Sequence, residues 1–262
     1  ETTDTPLKNV NTFTKAPGGA PANVAAAIAR LGGVSAFIGK LGDDAFGDFL
    51  IETLNAYHVD TTHVLKTKEA NTALAFVSLK ADGNRDFSFY RKPSADMLLD
   101  ESDVAPIAFD QDILHFCSVD LIDAPVKKAH EALIEKMHAA KGIVSFDPNV
   151  RLPLWDSEEA CVEAIQTFLP KADIVKVSDD ELTLITGITD NKAALRSLFK
   201  GKVRHVIFTK GKDGAEWWTD KEKVADSEGQ NVQTIDTTGA GDAFIGAILY
   251  GIQQSWVDLD RL

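Results

Sequence analysis

Two carboxylates flank a run of small residues in the segment 236–242, DTTGAGD, and an apolar helix is predicted to start near Ala240. Small residues let a backbone approach a ligand closely, and successive N–H groups at a helix start bind an anion. A carboxylate in this turn would repel a resting anion. It suits the charge that develops during phosphoryl transfer, where Asp242 would take the proton of the attacking hydroxyl. The alternative is a tight turn whose aspartate complements the helix dipole.

A second glycine-containing segment, residues 18–23 (GGAPAN), also precedes a predicted helix. Gly18 and Gly19 allow close backbone approach, and the amide of Asn23 offers both a donor and an acceptor. This combination suits a neutral polyol. The alternative is an ordinary helix start in which Pro21 occupies the first turn.

The sequence Ser178-Asp-Asp-Glu181 has the form of a capping box, in which Glu181 reaches back to the start of its helix. At the carboxyl end of a strand, the same glutamate could order water around a phosphate-bound Mg²⁺. The two interpretations are compatible.

Arginines that could contact a ligand occur at two places. Phe89 could stack on a sugar face and Arg91 could donate to hydroxyls; Arg151 follows a predicted strand end. The alternative for both arginines is a solvated charge at an edge.

The loop after a β-branched strand, residues 209–214 (TKGKDG), contains two glycines that permit turns. Thr209, Gly211 and Gly214 could face a nucleotide. An equally good interpretation is a tight hairpin into residues 215–219.

Strand-like and helix-like segments alternate along most of the chain, which predicts a mainly parallel sheet covered by helices on both faces. Predicted strands are 34–39, 113–118, 143–147, 173–177 and 203–209; predicted helices are 22–31, 46–57, 124–140, 158–169, 179–186 and one from about 240. Ligands bind such folds beyond the carboxyl ends of the strands. The polar clusters at 147–149, at 178 and at 210–211 all fall there.

One region departs from this alternation. Residues 72–79 and 86–91 resemble two strands, and the Asp82-Gly83 pair between them favours a hairpin. With a further short strand over Asn11–Lys15, the hairpin would form a lid built from about residues 8–18 and 71–93. An ordinary edge hairpin is the alternative. The chain is predicted to be one domain plus this lid, residues 1–262.

The bulk composition excludes several classes of partner and site. The 262 residues carry 27 basic and 40 acidic side chains, a net charge of −13, which argues against nucleic acid or an anionic membrane as the main partner. Cys117 and Cys161 are predicted to be buried free thiols, and no long apolar run or secretion signal occurs, so a cytoplasmic location is expected. The P-loop, zinc-protease and serine-hydrolase motifs are missing from the sequence.

Taken together, these segments resemble the PfkB (ribokinase-like) carbohydrate kinases. Residues 236–244, DTTGAGDAF, are similar to the family's second signature, and residues 18–23 with 37–47, FIGKLGDDAFG, are similar to its first. Four further segments are similar to those typical of its fructokinase branch: APGGAPANVA, TALAFVSL, FYRKPSADMLL and DPNVRLPLW. The resemblance covers nearly the whole chain.

The resemblance implies an α/β, three-layer ribokinase-like fold and ATP-dependent phosphorylation of a sugar hydroxyl, with O6 of D-fructose the expected acceptor. It implies that Asp242 is the base and that the N–H groups of Gly239, Ala240 and Gly241 form the anion hole. The sugar site would consist of Gly18, Gly19, Asn23, Phe89, Arg91 and Arg151.

The cofactor residues implied by the resemblance are Ser178, Glu181, Thr209, Gly211, Gly214 and Thr238 for ATP, Glu181 for Mg²⁺ through water, and Asp236 with Thr238 for a monovalent cation such as K⁺. A homodimer through the lid is a further expectation.

The sequence departs from the family pattern at three places. Ser178 stands where the family usually has Asn. No counterpart of the first strand, which ends in a sugar-binding Asp, precedes Asn11. No counterpart of the last two helices, which cover the adenine, follows Gln254.

Two other functions are consistent with some of these residues. A kinase for the acidic sugar 2-keto-3-deoxygluconate would use Arg91 and Arg151 to bind the carboxylate. A non-catalytic, kinase-like binding protein would be expected to lose the base or the glycine run, and this chain retains both.

Overall fold

The computed structural model describes residues 5–79, 85–229, 239–255 and 259. The α-helices are α1 (Ala20–Arg30), α2 (Ala45–Ala56), α3 (Glu101–Val104), α4 (Pro125–Ala139), α5 (Glu158–Phe168), α6 (Asp179–Thr186), α7 (Asn191–Ser197) and α8 (Ala240–Gln253). The strands are β1 (Gly39–Gly42), β2 (Val64–Thr67), β3 (Leu74–Leu79), β4 (Arg85–Tyr90), β5 (Ile113–Cys117), β6 (Ile143–Asp147), β7 (Ile174–Ser178), β8 (His205–Thr209), β9 (Ala215–Thr219) and β10 (Lys223–Ser227).

The central sheet has six strands in the order β10-β9-β8-β7-β6-β5. Strands β5 to β8 are parallel, whereas β9 and β10 continue the sheet antiparallel. The mainly parallel α/β sheet expected from the sequence is therefore confirmed. Two smaller pairs accompany it: β1 with β2, parallel, and β3 with β4, antiparallel.

Alternation along the central strands separates two hydrophobic layers. In β7, Ile174 packs with the apolar side chains of α1 and α8, whereas Val175 and Val177 pack on the opposite face with α4 to α7. In β8, Ile207 faces α1 and α8 while its neighbours face the other layer. Because side chains alternate across a strand, polar residues at the intervening positions must also point to one of these layers.

Helices α1 and α8 pack closely because both present small residues. A Cβ added at Gly246 would lie 2.8 Å from the Cβ of Ala27 and 3.3 Å from the carbonyl oxygen of Val24. The close approach brings together the first turns of the two helices, where residues 18–23 and 239–242 lie.

Replacing Gly246 with Val should lower the free energy of unfolding by about 1–3 kcal/mol, because the added side chain must push the two helices apart. Helix propensity alone would predict the opposite sign, since glycine is about 1 kcal/mol worse than alanine in a helix. Urea unfolding measures the change. The control is Ala247→Val on the exposed side of the same helix, which should change stability far less; equal effects at the two positions would contradict the packing argument.

The first signature has a structural explanation in the turn between β1 and α2. Asp44 caps α2 by accepting the N–H groups of Phe46 and Gly47, and it also accepts the N–H and hydroxyl of Thr72, just before β3. A Cβ at Gly42 would lie 2.2 Å from the Asp44 carboxylate and 2.5 Å from the backbone nitrogen of Thr72, so a side chain there would force this network apart. This network connects α2 to the start of the hairpin.

The predicted hairpin is present, with Leu74 opposite Tyr90, and its turn at residues 80–84 lies outside the described residues. Residues 10–19 contain no strand, so the predicted strand at Asn11–Lys15 is wrong. Phe13 instead packs edge-on against Phe76, with ring centroids 4.9 Å apart. The role of the hairpin as a lid over a ligand stays a prediction.

The predicted strand at residues 34–39 is displaced. Ala36 forms a single bridge with Asp60, and the strand proper begins at Gly39, where Val64 becomes available as its partner. Within the described residues, none of the helices is long and apolar enough to cross a membrane. Cys117 and Cys161 are buried and free, as expected.

Candidate active site

The first turn of α8 forms one side of the candidate site. Gly239 caps the helix with φ = 74°, in the left-handed region that favours glycine, and Asp242 lies in the first turn with only 6% of its surface exposed. The helix start with a carboxylate in its first turn, which the sequence predicts, is therefore present, and the carboxylate is buried.

Two carboxamides hold the Asp242 carboxylate. Asn23 Nδ2 donates to Oδ2 at 2.8 Å, and Asn149 Nδ2 donates to Oδ1 at 3.0 Å. Asn23 comes from the first turn of α1, which Gly19 caps with φ = 106°; Gly18 precedes it with open space around its Cα. Neutral amides orient the carboxylate without pairing it with a positive charge.

Asn149 also belongs to the site, although the sequence predicts no role for it beyond its place in the polar cluster after β6. It adopts φ = 43°, which asparagine tolerates better than most residues, and its N–H donates to Asp147 Oδ1 at 3.1 Å. The turn directs its amide at Asp242.

Asn149→Gly should lower kcat about tenfold to a hundredfold, because one hydrogen bond to a charged group contributes about 1.5–3 kcal/mol. Glycine adopts the positive φ freely, so the variant removes the amide without straining the turn. Steady-state kinetics measures the change, and Asn149→Ala, which adds backbone strain, separates stability from activity. An unchanged kcat in the folded glycine variant would contradict the orienting role.

A buried ion pair lies below this turn. Lys176 in β7 places Nζ 3.1 Å from Oδ2 and 3.3 Å from Oδ1 of Asp147, at the end of β6; both residues are at most 5% exposed. Oδ2 has no partner with hydrogen-bond geometry among the described residues. Burial raises the pKa of Asp147 to about 7, against the lowering effect of Lys176. Burial would lower the pKa of Lys176, but the carboxylates of Asp147 and Glu181 outweigh it and the pKa is raised.

Glu181 joins the start of α6 to the loop after β6. Its Oε2 accepts the N–H and the hydroxyl of Ser178 at 3.0 and 2.7 Å, and its Oε1 accepts the N–H of Val150 at 2.7 Å. The return contact expected of a capping box is therefore present. Residues 149 and 150 thus connect Glu181 to Asp242.

The carboxylate of Glu181 fits a magnesium ion only indirectly. Three protein donors already use its oxygens, and the part of the chain that the structure describes contains no cluster of three or more side chains able to ligate a metal. Its remaining acceptor capacity suits a water of a phosphate-bound Mg²⁺ better than the ion itself.

Phe89 and Arg151 lie together with Glu181 around a pocket of about 340 Å³ between the hairpin and the start of α6. The Arg151 side chain is exposed and donates to the carbonyl of Val150 at 2.8 Å. These two predicted sugar-site residues therefore adjoin the predicted Mg²⁺ residue, and the residue 149–150 segment links them to Asp242.

Arg91 is not the solvated edge charge that the alternative interpretation predicts. It is buried, and its Nε donates to Asp96 at 2.6 Å, while its other two nitrogens donate to the carbonyl of Val119 and the carboxylate of Asp120. Arg91 anchors the end of β4 to the body of the protein. Its contact with sugar stays a prediction.

The loop after β8 is the tight hairpin that the alternative interpretation predicts. Thr209 pairs with Ala215, and Lys210 N–H donates to the carbonyl of Gly214 at 2.8 Å. Gly214 has φ = 93°, and a Cβ there would lie 2.0 Å from the carbonyl oxygen of Ser227, whereas Gly211 faces open space. The contact of Thr209, Gly211 and Gly214 with nucleotide stays a prediction. Asp236 and Thr238 lie outside the described residues.

The model of the pfkB carbohydrate kinase family matches residues 1–258 of this chain. Probable fructokinase-5 of Arabidopsis thaliana is 46% identical over 99% of this chain and 81% of its own length. Fructokinase-2 of Zea mays is 46% identical over 92% of this chain and 72% of its own.

Solved structures agree with this similarity. The fructokinase of Vibrio cholerae O395 with fructose, ADP and calcium ion bound superposes with a TM-score of 0.85 at 38% identity, covering 93% of this chain and 78% of that one. The Xylella fastidiosa fructokinase with bound ATP superposes with a TM-score of 0.88 at 36% identity, covering 99% of this chain and 80% of that one. The ribokinase-like fold expected from the sequence is confirmed. With its glycine-rich α8 start, its buried aspartate and this match over nearly its whole length, the chain belongs to the pfkB family of carbohydrate kinases.

Proposed function

We propose that this protein transfers the γ-phosphoryl group of ATP to O6 of D-fructose. The observation that carries the proposal is the Asp242 carboxylate, buried in the first turn of α8 and oriented by Asn23 and Asn149. The relatives named fructokinase, and the solved fructokinase structures with fructose and ADP or with ATP, support the choice of substrates.

In the proposed reaction, the fructose hydroxyl oxygen attacks the γ-phosphorus while Asp242 takes the hydroxyl proton. The bond between the γ-phosphorus and the β,γ-bridging oxygen breaks, and ADP leaves. The N–H groups of Gly239, Ala240 and Gly241 face the charge that develops on the phosphoryl oxygens. Asn23 and Asn149 hold the base in place, since phosphoryl transfer depends on positioning and electrostatics.

The proposal includes Mg²⁺ with ATP, held through water by Glu181, and K⁺ near Asp236 and Thr238. When bound, Mg²⁺ would neutralise charge on the phosphates. The spare acceptor capacity of Glu181 supports the first ion; support for the second is limited to the family resemblance and a potassium ion named with a Vibrio cholerae fructokinase variant.

A homodimer through the hairpin and a cytoplasmic location complete the proposal. Exposed apolar side chains on and beside the hairpin support the dimer: Phe13, Val77 and Tyr90 are 49%, 41% and 64% exposed. Two free buried thiols suit a reducing compartment.

A panel of sugars tests the substrate. ADP formation is measured with ATP, Mg²⁺ and K⁺ against fructose, ribose, glucose, adenosine and 2-keto-3-deoxygluconate. We expect the highest kcat/KM with fructose. The acid is the weaker candidate because Arg91 already pairs with Asp96 and Asp120. A higher kcat/KM with 2-keto-3-deoxygluconate would reject fructose as the substrate. It would also indicate that Arg151 binds the carboxylate of the acid.

A further inference from the structure

Lys176 interrupts an otherwise apolar run in β7, Ile-Val-Lys-Val. Alternation along the strand directs it to the same face as Ile174, towards α1 and α8, and Asp147 points to that face from β6 because its neighbour Phe146 packs on the other. The strand positions therefore bring a buried cation and a buried anion under the candidate anion hole.

The ammonium of Lys176 lies beside Gly241, on the side where a Cβ would project. A Cβ added at Gly241 would lie 3.2 Å from Nζ and 3.9 Å from Cε, so the absence of a side chain at Gly241 leaves the space that Nζ approaches. The N-terminal end of α8 already carries partial positive charge, which disfavours a cation at this position. The positive end of α8 and the Lys176 ammonium therefore lie side by side.

Lys176 has one hydrogen-bond partner, Asp147, among the described residues, although an ammonium has three donors. His115 is close enough for the charge of Lys176 to act on it, yet burial lowers the pKa of His115 to about 3, so it remains neutral and adds no positive charge. A buried ammonium that a single carboxylate pairs with, among the residues described, lowers stability unless it also serves another anion.

We propose that Lys176 is a positioning residue for phosphoryl transfer, whose ammonium supplies fixed positive charge behind the Gly239–Gly241 turn while Asp147 holds it there. During transfer, negative charge increases on the oxygens of the phosphoryl group, and the positive charge of Lys176 stabilises it there. The Lys176 carbon chain and Asp147 keep water away from the back of the turn. This inference rests on the proposed function and adds a residue outside the family-like motifs.

The test compares variants that separate charge from folding. Lys176→Met alone leaves a buried, unpaired carboxylate and is expected to fold poorly. The main variant is therefore Lys176→Met with Asp147→Asn, which removes both charges and nearly preserves volume. Asp147→Asn alone removes the carboxylate charge but keeps an oxygen that can accept the hydrogen bond from Lys176 Nζ, so it keeps the ammonium in place and serves as the matched control. Thermal unfolding establishes that each variant is folded.

We expect the double variant to lose about a hundredfold in kcat, since one donor of an oxyanion-type site contributes a factor of about 10²–10³. The KM for fructose should stay within about threefold, and Asp147→Asn alone should lose much less kcat than the double variant. A role in stability alone predicts instead that the folded double variant keeps nearly the whole wild-type kcat, and that result would overturn the proposal.

A binding measurement keeps this test independent of the sugar. Calorimetry compares Mg·ADP alone with Mg·ADP plus aluminium fluoride, a mimic of the transferring phosphoryl group. The double variant should bind the fluoride complex about a hundredfold more weakly and Mg·ADP within about threefold. If the wild-type protein fails to turn over fructose, the proposed function fails while the fluoride measurement still decides the role of Lys176; equal fluoride affinities would reject it.

Discussion

Asp242→Asn should reduce kcat for fructose by about 10²–10⁴-fold, the range that a positioned general base supplies. The asparagine has nearly the same shape as the aspartate but cannot take the hydroxyl proton. The fructose dissociation constant should change by less than about threefold, because the proposed sugar contacts come from other residues. Steady-state kinetics and calorimetry with fructose measure the two effects separately.

The control for this variant is Asp156→Asn, whose side chain is 93% exposed and far less constrained. It removes the same charge from the protein and should leave kcat within about twofold. A kcat near that of the wild type in Asp242→Asn would remove Asp242 as the base. An equal loss of kcat in both variants would indicate an effect of the net charge of the protein instead of a local role of Asp242.

Phe146→Ala should lower the free energy of unfolding by about 3–5 kcal/mol. Phe146 is fully buried one residue before Asp147, and its ring stacks on that of Phe116 with centroids 4.6 Å apart. Phe116 in turn packs edge-on against Phe168 of α5. Loss of the ring leaves a cavity between β6 and the helical layer, directly behind the strand end that positions Asn149.

Urea unfolding, followed by far-UV circular dichroism, measures this loss as a shift in midpoint at constant slope. Val34→Ala is the control because Val34 is 82% exposed and lies outside the hairpin, and it should change stability by less than about 0.5 kcal/mol. The loss of unfolding free energy in Phe146→Leu should lie between those of Phe146→Ala and the control. A loss below about 1 kcal/mol in Phe146→Ala would show that this part of the core is loosely packed.

The elements that local sequence determines were predicted closely. The strand over Ile143–Asp147 and the helix over Asp179–Thr186 have the expected bounds, because each has strong local signals at its ends. Glu181 returns to Ser178 as in a capping box, and Gly187 ends the helix with φ = 69°. The start of α8 at Ala240 was also predicted, since its small residues and the Asp242 carboxylate are adjacent in sequence.

Features that depend on a distant partner were predicted less well. The strand expected at residues 34–39 begins only at Gly39, where Val64 pairs with it, and Val34 remains 82% exposed. The alternative interpretation of Arg91 as a solvated charge was wrong, because Arg91 is buried and pairs with the nearby Asp96 and with Asp120 from a distant part of the chain. Pairing of this kind is decided by the fold and leaves no local pattern.

Two site residues were given no role, although each had a signal. A lone lysine inside an apolar strand is costly unless it meets an anion, which indicates that Lys176 has a buried partner. Asn149 follows a strand end two residues after Asp147, where ligands of parallel sheets bind. What could not be predicted is the direction of each side chain, because it depends on the face of the sheet and on the turn.

The position of the transferred phosphoryl group tests the central claim most directly. Phosphorus and proton NMR of the product formed from ATP and fructose should identify fructose 6-phosphate, formed together with one equivalent of ADP. ADP without a sugar phosphate, or phosphate at another hydroxyl, would contradict the account of a fructose 6-kinase built around Asp242.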